Sequence, residues 1–525
     1  MKQILLTGAL CLFTVFVTVA QERLADPRVT YAGTINTRDL KEYMGYLASD
    51  EYAGRETGEK GQKQAAKFIS EVYKVNNVDH PKFKSGYFQS FELVEISWGN
   101  RWIIARDSVF RFFEDFYGWQ GQNDSLDLKT NELVFLGYGI DAPNYSDYKN
   151  RDVRGKVLIV LDGEPFRKEK SVVSKSTEAS EWTNDRELKW KAAMDHGAEA
   201  LLIIDSKFDV RMGNQNWRDY LDHASMKLKE DYVYKDMCNL LYVSRAMAEE
   251  LMGKEKLTAA QTKIQKKGKP VYFVESIPMH LKIAKLATDV FSENVAGYVE
   301  GSDLKDEVII VSAHYDHIGI IDGEVYNGAD DDASGTVALM EIAQAMQLAK
   351  QGGYGPRRSI LFLSFAGEEK GLLGSDYYTR HPQFPLENTV ANLNIDMVGR
   401  IDADHIADSN YIYIIGSNFL STKLHEINEY NAATYTDLKL DYRFNTLDDP
   451  NRFYYRSDHY NFAKNNVPVI FFFNGTHEDY HQASDEIEKI SFDILEKRTK
   501  LIFHNVWTLA NMDERIQVDV VQETE

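Results

Sequence analysis

Five stretches of the sequence gather residues that bind metals or move protons. SAHYDHIG holds His314, Asp316 and His317, and YNGADDDASG holds Asp330, Asp331 and Asp332. AGEEKG adds Glu368 and Glu369, NID adds Asp396, and HEDYHQASDE adds His477 and His481. Imidazole nitrogen combined with carboxylate oxygen suits zinc, and less commonly cobalt or manganese, better than calcium or magnesium, which prefer oxygen alone. A pair of zinc ions needs a bridging carboxylate, a His and a carboxylate for each ion, and a separate carboxylate to deprotonate the water between them. The stretches supply every one of these groups. Taken singly, each has a plainer explanation: an isolated His or Glu-Glu pair mostly faces solvent, and an Asp triplet ahead of a helix commonly caps it. Their joint placement sets them apart.

That placement comes from the elements before them. Apolar strand patterns recur at EVIIVSAH (307–314), SILFLSFAG (359–367), ANLNIDMVG (391–399) and PVIFFFNG (468–475), and helical patterns such as ASGTVALMEIAQAMQLA lie between them. Alternation of this kind predicts an α/β fold, a mostly parallel sheet covered on both faces, with ligands bound beyond the carboxyl ends of its strands. Upstream, Asn36 or Thr37 can cap a helix running through Leu47, AAKFISEVYKV is helical, and GRETGEKG (54–61) is a Gly-rich turn. The aromatic-rich stretch 86–125 has no clear pattern. Residues 131–280 form a unit of their own, with strand patterns LVFLGYGI, KVLIVLDG, ALLIID and NLLYVS, and with 164–185 expected to be an exposed loop.

The chain has 525 residues, with 60 Lys plus Arg against 81 Asp plus Glu, a formal charge of −21. This length allows two or three domains with large cores. The acid surplus argues against nucleic acid or an anionic membrane surface as partner. Residues 1–20 (MKQILLTGALCLFTVFVTVA) are expected to be a cleaved secretory signal, not a stable membrane anchor. Its removal takes Cys11 away and leaves Cys238, a small buried residue, as the only thiol, so no internal disulfide is expected. An exported protein, bacterial and periplasmic or extracellular, follows. The acidic end, 516–525, is expected to be a tail.

The motifs H-Y-D, G-A-D-D-D-A-S-G, G-E-E-K-G-L-L-G-S and a late His before Q-A-S-D together resemble the co-catalytic dizinc aminopeptidase family that includes bacterial leucyl-type aminopeptidases, glutamate carboxypeptidases and glutaminyl cyclases. The resemblance implies a three-layer α/β/α zinc exopeptidase fold with a mostly parallel mixed sheet, formed by residues 21–125 and 283–515. Between these, 126–282, with LVFLGYGIDAPNYSDYKNRDVRGKVLIVLDG, resembles a smaller α/β protease-associated domain inserted into such enzymes. For the site it implies two zinc ions. Asp331 bridges them, His314 and Asp396 complete one site, and Glu369 and His481 complete the other. Glu368 is the general base acting on metal-activated water, Asp316 orients a ligand imidazole, and the Asp331–Asp332 peptide is cis. Tyr454, three residues before Ser457, falls where related enzymes place a tyrosine that stabilises the tetrahedral intermediate. His317 reads as a pocket wall, and His477 competes with His481 as the late ligand.

The activity implied is removal of amino-terminal residues from peptides. Cyclisation of amino-terminal glutamine and carboxypeptidase or dipeptidase action are alternatives on the same fold. Acidic carboxypeptidase specificity needs arginines near the metals, for which Arg400 and Arg456 are the nearest in sequence. A receptor-like protein without catalysis is a further alternative, against which the complete ligand set argues.

Overall fold

In the computed structural model, residues 26–233 and 237–521 are described. The expected signal segment, 1–20, and the last four residues of the expected tail lie outside them. The chain divides into two compact units, one built from the residues before Val94 and after Asp289, the other being Val94–Asp289.

The first unit contains helices α1 (Thr37–Leu47) and α2 (Lys60–Val75) and, after the second unit, the end of β1 (Tyr272–Val299), a strand that begins in the second unit, then β2 (Leu304–His314), α3 (Gly335–Gln351), β3 (Arg358–Phe365) and α4 (Leu373–Arg380). Then come β4 (Thr389–Ile395), β5 (Tyr411–Ile415), α5 (Thr422–Asn431), β6 (Lys439–Asp441), β7 (Val469–Phe473) and α6 (Phe492–Asn511). Asn36 caps α1 by accepting the Asp39 amide, as its position ahead of the helix predicts. Across the sheet the order is β6–β5–β7–β4–β2–β3 and then the end of β1. β3, β2, β4 and β7 run parallel, residues 295–299 of β1 pair antiparallel to β3, and β5 pairs antiparallel to β7 and parallel to β6. Every residue of β3, β4 and β7 is buried, as expected of central strands covered on both faces. One group of helices, α1, α3 and α6, packs together against the sheet, and α4 packs with the short helix His459–Ala463. This is the mixed, mostly parallel α/β architecture that the strand and helix patterns predict.

α3 buries a carboxylate. Glu341 accepts the Asn36 amide on Oε2 at 3.3 Å, and its Oε1 has no partner. Burial pushes its carboxyl up to about 8 from an ordinary 4.5. The folded protein therefore holds a proton there that the unfolded chain releases, so this group's contribution to stability falls as pH rises from 4.5 through about 8. Glu341→Gln is expected to raise the melting temperature at pH 8 by roughly 3–6 °C, with a much smaller effect at pH 5, in paired thermal scans.

In the second unit, strands Leu126–Leu136, Val157–Leu161, Ala200–Ile204 and Asn239–Val243 pair in parallel in that order. Residues 272–283 of β1 flank the first of them antiparallel, and Phe116–Tyr117 flanks the last. The unit begins at Val94, not at 126, and ends at Asp289, not at 282. The aromatic-rich stretch explains the earlier start. It forms the strands Phe88–Ala105, Ser108–Arg111 and Phe116–Tyr117, whose Trp98, Ile103, Phe110 and Phe116 enter this unit's core. Nor is 164–185 wholly irregular, since it holds the paired strands Phe166–Arg167 and Lys170–Ser171 and the short helix Glu181–Asn184. Cys238 is buried here as a free thiol that burial pushes up to about 12.

Candidate metal centre

The acid and imidazole side chains meet at the carboxyl ends of β2, β3, β4 and β7. His314 is the last residue of β2. Its Nδ1 lies 3.1 Å from the Asp316 carbonyl, which in the neutral ring places the proton on that nitrogen and turns the Nε2 lone pair toward the acids. Nε2 faces Asp331 Oδ1 at 3.2 Å, Asp396 Oδ1 at 3.6 Å and Glu368 Oε2 at 3.9 Å. Asp331 Oδ2 faces the other way, 3.1 Å from His481 Nε2 and 4.0 Å from His317 Nδ1. Glu369 closes this second group, with Oε2 3.4 Å from His481 Nε2 and Oε1 2.8 Å from His317 Nδ1. Asp331 thus stands between two histidine and carboxylate groups.

Hydrogen bonds hold the acids in place. Ser457 Oγ donates to Asp396 Oδ2 at 2.6 Å. Asp485 Oδ2 accepts the amides of Asp330 and Asp331 at 3.0 and 3.1 Å. Asp332 takes the plainer role of a cap, accepting the Gly335 amide at 2.9 Å at the start of α3 and the Met397 amide at 3.0 Å. The peptide between Asp331 and Asp332 is cis, as the family resemblance implied. Asp330 accepts the Gly399 amide at 2.7 Å and faces His477 Nε2 at 3.1 Å. His477 is therefore engaged with Asp330, and of the two late histidines it is His481 that reaches Asp331.

The Gly-rich turn near the amino end clamps the loops that carry these groups. Arg55, buried, donates to the carbonyls of Tyr315 at 2.8 Å, Asn327 at 2.7 Å and Gly328 at 3.0 Å, and also to that of Leu47. Two residues on, Thr57 Oγ1 donates to Asp316 Oδ2 at 2.6 Å, while Asp316 Oδ1 accepts the Glu368 amide at 3.2 Å. The Asp316 carboxylate sits 3.8 Å from His314 Nδ1, so the orienting hydrogen bond on that imidazole comes from its carbonyl, and the carboxylate secures Thr57 and Glu368. Gly54, at φ 65°, permits the approach of this turn: a Cβ there would meet the Gly319 carbonyl at 2.4 Å.

The electrostatics favour a cation. Burial alone disfavours charge on His314, yet Glu368 and Asp396 outweigh it and hold the imidazole well above its usual range. Burial, with Glu369, Asp396 and Asp458 nearby, pushes the Glu368 carboxyl well up. His317 Nδ1, His317 Nε2 and Glu369 Oε1 are buried without a hydrogen-bond partner, the first and last being close but misaligned. Buried lone pairs left unpaired are costly, and a divalent cation satisfies them. Two groups have metal-ligand spacing, His314 with Asp331 and Asp396, and His317 with Asp331 and Glu369. The donor set fits zinc.

Two expectations change. His317, read from sequence as a pocket wall, is fully buried with its Nδ1 at ligand distance from Glu369. Its ring seats over Gly328, where a Cβ would lie 2.5 Å from it. His317→Ala is expected to weaken zinc binding on the Glu369 side by roughly tenfold or more while the His314 side stays loaded, read by metal analysis after graded dialysis. Tyr454 is buried in an aromatic cluster with Phe419, Tyr455, His459 and Tyr460. The tyrosine in the wall of the cleft over the acids is Tyr480, whose ring stacks on His481 at 3.9 Å. Met397, Phe453, Phe471 and Phe473 give that cleft an apolar side, and Arg456 lines it too, its Nη2 donating to the Tyr480 hydroxyl at 3.2 Å.

A mostly parallel α/β sheet with a two-part histidine and carboxylate centre at its strand ends defines a metallohydrolase type of site. Residues 294–506 match the model of peptidase family M28, in agreement with the zinc-dependent family recognised from the motifs. Aminopeptidase Y of Saccharomyces cerevisiae is 28% identical over 223 residues, 40% of this chain and 37% of that protein. The matched stretches thus span little more than a third, or less, of the first curated relatives, down to 14% of aminopeptidase NAALADL1 of Mus musculus. Leucine aminopeptidase 1 of Trichoderma harzianum is 24% identical over 372 residues, covering 63% of this chain and 89% of that protein. Among solved structures, the aminopeptidase from Aneurinibacillus sp. strain AM-1 shares the fold, with a TM-score of 0.54 at 17% identity over 95% of this chain and 99% of that one.

Proposed function

We propose that this protein is an exported aminopeptidase that holds two zinc ions and hydrolyses the amino-terminal bond of peptides, with Glu368 as general base. The observation that carries this reading is Asp331, one oxygen toward His314 and Asp396, the other toward His317, His481 and Glu369. His314, Asp331 and Asp396 would hold one ion, and Asp331, Glu369 and His481, with His317 beside them, the other. When bound, the ions supply Lewis acidity toward the scissile carbonyl and acidify the attacking water. Glu368 would take the water proton on its carboxylate and return it to the leaving amine. Asp316 fixes the Glu368 backbone for that transfer through the 3.2 Å bond to its amide. The cleft's apolar side receives the first side chain of the substrate, which favours large apolar residues.

Carboxypeptidase action on acidic ends has less support, because Arg400 is engaged with Asp479 at 2.9 Å, which leaves Arg456 alone in the cleft. Residues 94–289 serve in this reading as the protease-associated domain. Export rests on the leader pattern at 1–20, and no helix among the described residues is long and apolar enough to cross a membrane.

The test combines metal analysis with product identification. Purified protein should carry about two zinc ions per chain and release leucine from leucyl-p-nitroanilide and from Leu-Gly-Gly, but not from the acetylated peptide. Release from the carboxyl end, pyroglutamate formation from glutaminyl peptides, or absence of both metal and turnover would sink the proposal.

A further inference from the structure

A roomy cleft at the carboxyl ends of parallel strands also lies away from the acids, within the second unit. This cleft of about 880 Å³ opens at the carboxyl ends of Val157–Leu161 and Ala200–Ile204. Its walls carry Trp119, Trp217, Tyr220 and Tyr242, and Tyr220 is 66% exposed. A second cleft of about 640 Å³ shares Trp119, Gly121 and Tyr220 with it, so the two form one groove longer than a single small ligand requires.

The polar side of the groove is built and rigid. Asp205, fully buried, receives Arg186 Nη2 at 3.0 Å and Arg211 Nη1 at 2.7 Å, and Arg186 Nη2 also reaches Asp162 at 2.6 Å. Tyr117 donates to Asp205 Oδ2 at 2.7 Å behind them. Both arginines make these contacts through one nitrogen, which leaves the rest of each planar donor fork uncommitted. Three polar atoms in the wall, Gln122 Oε1, Thr183 Oγ1 and Trp217 Nε1, are buried without partners: an acceptor, a hydroxyl and a donor. Such groups cost stability unless something pairs with them. Asp162 and Glu187 line the groove against Arg186, Lys207 and Arg211, and the buried Asp205 behind the two arginines brings the local charge to balance.

These features select a ligand class. A free carboxylate or phosphate would sit beside Asp162 and Glu187, and a cation beside three basic side chains, so neither gains net attraction. A neutral molecule whose groups both donate and accept would suit the mixed wall, and flat C–H faces would suit the aromatic rings. A chain of sugar rings has both, hydroxyls around each edge and C–H groups on each face. We propose that this groove binds a neutral oligosaccharide, with Trp119, Trp217 and Tyr220 as stacking platforms and Asp162, Arg186 and Arg211 as hydrogen-bonding partners. The binding is independent of the metal centre.

The experiment titrates the full-length protein with cellotetraose, chitotetraose, maltotetraose and a tetra-alanine peptide acetylated at one end and amidated at the other, by calorimetry and by tryptophan fluorescence. Saturable binding of at least one tetrasaccharide is expected, with Kd between about 10 μM and 1 mM. Tyr220→Ala, at an exposed position that leaves the fold intact, should weaken it at least fivefold, and Trp217→Phe, which keeps a ring but removes the N–H, should weaken it measurably. Both variants should hydrolyse aminoacyl substrates as the parent does. The proposal is overturned if no tetrasaccharide binds, if binding is unchanged in both variants, or if the capped peptide is the ligand whose binding depends on Tyr220. Loss of hydrolysis in the parent protein would instead count against the peptidase reading and leave these titrations unaffected.

Discussion

Glu368→Gln is expected to keep its zinc and to lose turnover by about 10³-fold or more. The amide matches the carboxylate in shape, and Glu368 is held through its backbone amide on Asp316, a contact the substitution leaves intact. What disappears is the only role asked of the side chain, acceptance of a proton. Metal content equal to the parent, an unchanged KM and a collapsed kcat would together locate the defect in the chemical step. Turnover within tenfold of the parent would defeat the assignment of the base.

Asp331→Asn should have a broader effect. Both carboxylate oxygens of Asp331 face imidazoles, Oδ1 toward His314 and Oδ2 toward His481, so one substitution removes a ligand charge from each half of the centre. Zinc content is expected to fall from about two ions to well below one, and activity to be lost with it. The melting temperature of the parent should rise on adding zinc to chelator-treated protein, since an ion that binds the folded state stabilises it, and this rise should be almost absent in the variant. A variant that still binds two ions with parental affinity would remove Asp331 from the bridging position.

Much of the centre was legible because the proposed ligands follow strands, and strand ends are what an apolar run announces. SAH, AGEE and NID each read as a strand meeting chemistry, and the structure brings their side chains together. Residues whose meaning depends on distant partners were not legible. Arg55 bonds to the Tyr315 carbonyl across 260 positions, and Thr57 to Asp316 across 259, so nothing local marks GRETGEKG as more than a turn. His317 shows the limit of position in sequence, because whether a histidine three residues past a ligand points into the site depends on Gly328 yielding its Cβ space. For a tyrosine that stabilises the tetrahedral intermediate, the resemblance pointed to Tyr454, whereas the cleft wall holds Tyr480, beside His481, whose backbone lies in the left-handed region. The early edge of the second unit, at Val94, was hidden because aromatic strands of uneven period look irregular until they find a core.

Arg55 also bears on how the protein matures. The ribosome delivers Arg55 and Thr57 long before His314, the first of the proposed ligands, and residues 94–289, with a core of their own, are made in between. The guanidinium thus waits, its carbonyl partners from 315 to 328 not yet synthesised, until more than half of the chain has been made. The segment 294–506 carries every proposed ligand, yet expressed alone it would lack the clamp that aligns two of the ligand loops. The proposed centre is completed late, when Arg55 and Thr57 meet loops made some 260 residues after them.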